Sequence, residues 1–293
     1  MAPPDSSRPA PAPSSAAGLA LMALSATSYG VIPIFARLAY EAEATPLTLL
    51  SLRYLAAVAV LAVGLRLAGR PLRLPPGRRL AGVITGILFA IMAYTYLAAI
   101  RVIPVSSAVL LFFTYPVLVT LVGWLRGDGL GLRRALAVLA AFIGLALALG
   151  VEIANLDPVG VALASLGSLT YTFGIFYFGR ATTGTDPMTV SFQAMATCAA
   201  IFTPLALFRG EILPPDTALG LLGTLGVVVT YFVGLVAFFG ALRRIGPIRT
   251  ALLSQLEPVV SILAAVIVLR EELGAIQGLG IALVLGALLL LAR

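Results

Sequence analysis

The chain contains no histidine and no lysine, and all 19 of its basic residues are arginine. Those two absences remove a histidine general base, a Schiff-base lysine and a Walker-type phosphate loop, which needs its lysine. A single cysteine, Cys198, can make neither an internal disulfide nor a thiolate metal cluster. Charge is scarce as well, at 11% of 293 residues, where an ordinary soluble domain has about 25%. The apolar segments hold no pair of aspartates, so an intramembrane protease or lipid-modifying enzyme would have little to work with. No cofactor and no metal are expected.

What the chain has instead is apolar sequence. Hydrophobic residues make up 60% of it and fall into repeated runs of about 20 residues, enough to cross a hydrocarbon core roughly 30 Å thick. Ten runs are placed at 19–40, 46–67, 80–100, 103–124, 132–150, 157–179, 187–208, 218–242, 247–269 and 273–292. Their connections are short and polar or contain Pro and Gly, so neighbouring spans run antiparallel. The expectation is an all-α polytopic membrane protein of ten transmembrane helices. Residues 1–17 are rich in Pro, Ala and Ser, with only Asp5 and Arg8 charged, and read as a disordered cytoplasmic tail. They do not resemble a signal peptide, because the apolar run that follows is too long and lacks a basic flank.

The net charge of +7 raises the question of nucleic acid, and the placement of the arginines answers it. With ten spans both chain ends share a side, and 14 of 19 arginines fall there, Arg66, Arg70, Arg73, Arg78, Arg79, Arg180, Arg243 and Arg244 among them. The opposite side holds Arg101, Arg209 and Arg270 together with Glu41, Glu43, Glu211, Glu271 and Glu272. By the positive-inside rule both termini are cytoplasmic in a multi-pass inner-membrane protein. The expected partners are a small-molecule substrate and the lipid bilayer, not nucleic acid. The apolar faces suit lipid or a second copy equally, and a monomer is the working expectation.

Sliding the sequence against itself by 142 residues aligns Ala99-Ile100-Arg101-Val102-Ile103 with Ala241-Leu242-Arg243-Arg244-Ile245. The same shift brings Pro116-Val117 onto Pro258-Val259, Tyr29 onto Tyr171, Gly18 onto Gly160 and Gly144 onto Gly286. Each copy carries five spans, an odd number, so the second enters the membrane upside down. The chain therefore divides into a first five-helix repeat at 18–155 and an inverted second repeat at 156–293. Folds of this kind hold their sites near the midplane where the halves meet.

Polar residues deep in the spans are the site candidates. Glu257 lies about ten residues into the ninth span and, at about 1.5 Å per residue, near the bilayer centre. A charged acid there costs roughly 2.5 to 3.5 kcal/mol, so it faces protein or water and either pairs or protonates. It could take a substrate amino group, couple a proton, or serve as a structural acid beside Pro258. Arg53, about seven residues into the second span, either snorkels to the outer interface or joins an internal ion pair, for which Glu257 is the available acid. Arg37, one turn before Glu41, suits an exposed i,i+4 pair. Tyr29, Tyr94, Tyr96, Tyr115, Tyr171 and Tyr231 all lie within spans rather than at the interfacial belts. They could stack on a substrate and orient its polar end, or simply pack. Gln255 and Ser254 beside Glu257, with Ser106 and Ser107 on the symmetry-related helix, add amide and hydroxyl groups. The pairs Gly82/Gly86 and Gly274/Gly278 have the small-xxx-small spacing of close helix contacts.

The duplication, the short-looped spans and the segment Ala241-Leu242-Arg243-Arg244-Ile245-Gly246-Pro247 followed by Leu256-Glu257-Pro258-Val259 resemble the drug/metabolite transporter superfamily, in its EamA-type branch. The resemblance covers essentially the whole chain and is nearest to bacterial amino-acid exporters, including those of aromatic amino acids (the YddG type). The first repeat carries Tyr115-Pro116 where the family has Glu-Pro, so only Glu257 can inherit the acidic role. The resemblance implies a central cavity lined by the first, third, fourth, sixth, eighth and ninth helices, which carry all six tyrosines. The expected function is secondary transport by alternating access, exporting small amphipathic metabolites, amino acids foremost. The alternative cargo is an aromatic cationic drug, which tyrosine faces and one carboxylate would suit. A phosphorylated cargo would need several converging arginines, and only Arg53 is at hand.

Overall fold

The computed structural model describes residues 16–126, 136, 139, 140, 143, 144, 147, 155–254 and 256–292. The first fifteen residues of the expected tail, Gln255 and most of the fifth expected span lie outside the described residues.

Proline and a polar cap start the helices at the membrane faces. The second span, α3 (Pro46–Leu67, counting α1 and α2 below as the first), begins on Thr45, whose hydroxyl accepts from the Thr48 amide at 3.3 Å. The sixth span, Pro158–Thr182, and the seventh, Pro187–Arg209, begin on Asp157 and Asp186 in the same way. In each case Pro occupies the first turn, where its missing N–H costs nothing. The seventh ends at Gly210, left-handed at φ 70°, and the Glu211 amide returns to the Ala206 carbonyl at 2.8 Å.

Two expected spans, the first and the fourth, are divided. The first is α1 (Ala16–Gly30) and α2 (Ile32–Glu41), broken at Val31 just ahead of Pro33. The third is α4 (Pro76–Val102). The fourth is α5 (Val105–Phe112) and α6 (Tyr115–Leu125), broken ahead of Pro116. The sixth and seventh are then α7 and α8. Helix α9 (Ala218–Ser254) and α10 (Leu256–Val268) carry the eighth and ninth, and α11 (Ala275–Ala292) the tenth. Among the described residues, seven helical stretches are long and apolar enough to cross a membrane, and Leu256–Val268 and Ala275–Ala287 are shorter apolar ones.

Helix α9 is helical over 37 residues, yet it cannot be one straight rod. Its Gly223, Gly226, Gly234 and Gly240 abut Ala39, Phe35, Tyr29 and Leu21 in turn, so it descends antiparallel to the first span. The Glu257 carbonyl then lies against Gly30, one residue from Tyr29. A straight helix would carry residue 257 about 35 Å past Gly234, so the chain turns back between Gly240 and Glu257. That reversal separates the eighth span from the ninth, as the sequence predicts.

The largest interfaces join helices of different repeats. The third span packs on the sixth and the first on the eighth, then the second on the seventh, while a smaller contact joins the fourth to the ninth. Exchanging the repeats turns this list into itself. Gly82 and Gly86 let the third span approach Gln193, Thr197 and the Ala194 carbonyl of the seventh, whereas an added Cβ at Gly278 would meet nothing within 4 Å. Among the described residues, small-residue spacing thus marks a helix contact in the first case and not in the second.

Candidate functional site

Five of the six tyrosines come together. Tyr29 of the first span faces Tyr231 of the eighth at 5.6 Å between ring centroids. Tyr115 of the fourth meets Tyr171 of the sixth edge-on at 4.7 Å, and Tyr96 of the third stacks on Phe112 at 4.5 Å. Phe112 also contacts Tyr115 and Tyr171. All five tyrosines are half-buried against the central core. Tyr94 is elsewhere: two residues before Tyr96 on the same helix, it points to the outer surface and is 41% exposed. A helix turns about 100° per residue, so neighbours two apart cannot share a face.

Glu257 is half-buried among these rings, in electrostatic range of Tyr29, Tyr96, Tyr115, Tyr171 and Tyr231. Among the described residues, no group donates a hydrogen bond to its carboxylate. Its position is set by close packing of the ninth span on the first: Ser261 donates to the Gly30 carbonyl at 2.7 Å, and a Cβ at Gly30 would fall 2.9 Å from the Glu257 carbonyl oxygen.

Arg53 departs from both sequence expectations. At 7% exposure it does not snorkel, and among the described residues it forms no ion pair with Glu257 or any other acid. Its guanidinium carbon lies instead 4.7 Å from the centre of the Tyr54 ring and 4.6 Å from that of Tyr231. One terminal nitrogen donates to the Tyr54 hydroxyl at 3.0 Å, and its Nε is buried with no partner. Arg37 likewise forms no pair with Glu41. It donates to the Ile100 carbonyl at 2.9 Å, near the C-terminus of the third span, where a cation also complements the helix dipole.

Tyr54 and Phe202, stacked at 5.8 Å, extend the aromatic wall into the second and seventh spans, and the Tyr231 hydroxyl reaches the Met195 sulfur at 3.1 Å. Tyr54 carries the same sequence signal as the other six, a tyrosine deep in an apolar run. Phe112, Phe202 and Met195 carry none, since apolar residues in apolar helices are unmarked.

The ends of the bundle are polar. On one end Glu271 accepts from the amides of Val105 and Ser106 at 2.7 and 3.0 Å, and Glu211 accepts from the Thr45 hydroxyl at 2.6 Å. On the other, Arg70 pairs with Asp186 and Arg78 donates to the Arg180 carbonyl. A surface cavity of about 460 Å³ at this second end is lined by Arg73, Arg79, Thr185 and Asp186, far from Glu257 in the fold.

These features define a multi-pass helical membrane protein whose two repeats surround an aromatic, acid-bearing interior. The chain belongs to the EamA-like transporter family, whose model matches it twice, at residues 16–150 and 158–293. The two matches start 142 residues apart (158 against 16), the shift at which the sequence repeats itself. An uncharacterized transporter of Archaeoglobus fulgidus is 28% identical over 94% of this chain and 96% of its own length. The threonine/homoserine exporter RhtA of Escherichia coli K12 is 29% identical, and that of Salmonella typhimurium SL1344 is 30% identical, each over 74% of this chain and 72% of the relative. A solved crystal structure superposes with a TM-score of 0.62 at 18% identity, covering 94% of this chain and 97% of the other, which speaks for the fold.

Proposed function

We propose that this chain is an inner-membrane exporter of small amphipathic metabolites, amino acids foremost and aromatic ones among them, working by alternating access. In this reading Tyr29, Tyr96, Tyr115, Tyr171, Tyr231 and Glu257 line the substrate site. The observation that carries it is a half-buried aromatic cluster drawn from five spans of both repeats around a carboxylate, on a sixth, that no described residue satisfies. A buried acid without a protein donor is costly unless a ligand or proton completes it. The similarity to threonine/homoserine exporters over 74% of the chain supports amino acids as the cargo.

The contacts suggest which bodies move. The repeats interleave, so rocking one against the other would open the largest interfaces in the molecule. The units are better drawn across the repeats: first, eighth and ninth spans on one side, third, fourth and sixth on the other, with the substrate between them. Both termini and the arginine-rich end are cytoplasmic in this scheme, and one copy of the chain suffices.

An aromatic cation would also suit tyrosine faces and one carboxylate, but the guanidinium of Arg53 against Tyr231 disfavours it. Purified protein in proteoliposomes, offered radiolabelled amino acids with and without a pH gradient, tests the proposal. Saturable uptake is expected. If a gradient accelerates it, Glu257→Gln should abolish the acceleration. No uptake of any amino acid overturns the reading.

A further inference from the structure

Arg53 is a buried cation without a counter-ion among the described residues. Removing a guanidinium from water is tolerated where an anion or several hydrogen bonds replace the solvent. Here one N–H is met by the Tyr54 hydroxyl, the Nε stands buried with no acceptor, and no carboxylate lies within ion-pair distance among the described residues. Tyr54 and Tyr231 offer cation–π contact at 4.7 and 4.6 Å. Such contact engages the flat faces of a guanidinium and leaves its in-plane N–H fork, the edge that grips a carboxylate in a bidentate manner.

Glu257 is the complementary case, an intramembrane acid with no donor among the described residues. The two opposite charges do not meet, yet Tyr29, Tyr96 and Tyr231 lie in electrostatic range of both. If the charges existed for stability they would be paired. Holding them apart across a shared set of rings makes a dipolar receptor.

We propose that Arg53 binds the carboxylate of the substrate while Glu257 binds its ammonium group, so that the site selects a zwitterion. The assignment rests on the amino-acid reading above and adds to it a second-span residue and the chemistry of both substrate ends. The tyrosines between the two charges then meet the side chain and the Cα region of the substrate.

The test compares one aromatic amino acid, its carboxamide and its des-amino acid as competitors and as labelled cargo in proteoliposomes, with wild type, Arg53→Gln and Arg53→Lys. For wild type, the amino acid is expected to out-compete both analogues by at least about tenfold, the scale on which buried polar sites reject a ligand lacking a partner group. In Arg53→Gln the apparent KM for the amino acid should rise by a similar factor while that for the carboxamide changes little, erasing the preference. Arg53→Lys keeps the charge but not the fork and should retain part of it. Should Arg53→Gln fail to fold, as judged by gel filtration and thermal melting, the wild-type analogue series still decides, because equal handling of amino acid and carboxamide overturns the proposal. Undiminished preference for the amino acid in folded Arg53→Gln overturns it too, while leaving amino-acid export intact. Absence of uptake of every amino acid instead overturns export itself.

Discussion

At Gly30 a side chain one carbon larger has nowhere to go. An added Cβ would lie 2.7 Å from the Val260 Cβ and 2.9 Å from the Glu257 carbonyl oxygen, and backbone cannot rotate out of the way as a side-chain tip can. Gly30→Ala is therefore expected to push the ninth span off the first and displace Glu257, with a loss of about 1 to 3 kcal/mol in stability and a marked loss of transport. Gly278→Ala, with no described residue within 4 Å of the new carbon, is the matched control and should leave both unchanged. Thermal melting in detergent and initial uptake rates check the pair. At this scale the sequence marks some site residues and hides others. Glu257 and the buried tyrosines stood out because a polar group in hydrocarbon is conspicuous. Whether Tyr94 shared a face with Tyr96, and what faced Arg53, depended on helix rotation.

Among the elements, the second and seventh spans are laced at both ends. Thr45, capping the start of the second, donates to Glu211 just past the end of the seventh, and Asp186, capping the start of the seventh, pairs with Arg70 just past the end of the second. The two contacts are images of each other under the repeat. A pair tied at both membrane faces acts as a strut, whereas the contact of Glu271 with the start of the fourth span bridges the two bodies that the proposed mechanism moves apart. In a Cys198→Ala background, a short bis-methanethiosulfonate bridging cysteines at 45 and 211 through disulfides is expected to leave uptake largely unchanged. The same reagent across 106 and 271 should stop it, and reduction should restore it. The chain's single, buried cysteine makes this background easy to obtain.

For the whole molecule, the arginine-rich loops gather at one end, where Arg70 meets Asp186 and Arg78 meets Arg180. In intact cells a membrane-impermeant maleimide should label a cysteine placed at Glu43 and spare one placed at Arg73. The reverse pattern would invert the proposed orientation. Apolar runs, arginine bias and a repeat at 142 residues are properties of the chain in one dimension, and they were enough to specify the helical membrane architecture and its duplication. Proline alone does not say where a span divides, since the fourth breaks ahead of Pro116 while Pro204 lies inside a continuous helix, so that division was only partly legible. Pairing of helices across repeats was not legible, nor was the burial of Arg53 between two rings. Hydropathy states which segments enter the bilayer, but lipid is as apolar as the helix faces. Only packing in three dimensions decides which face turns to a neighbour, and with it which charges are left without a partner.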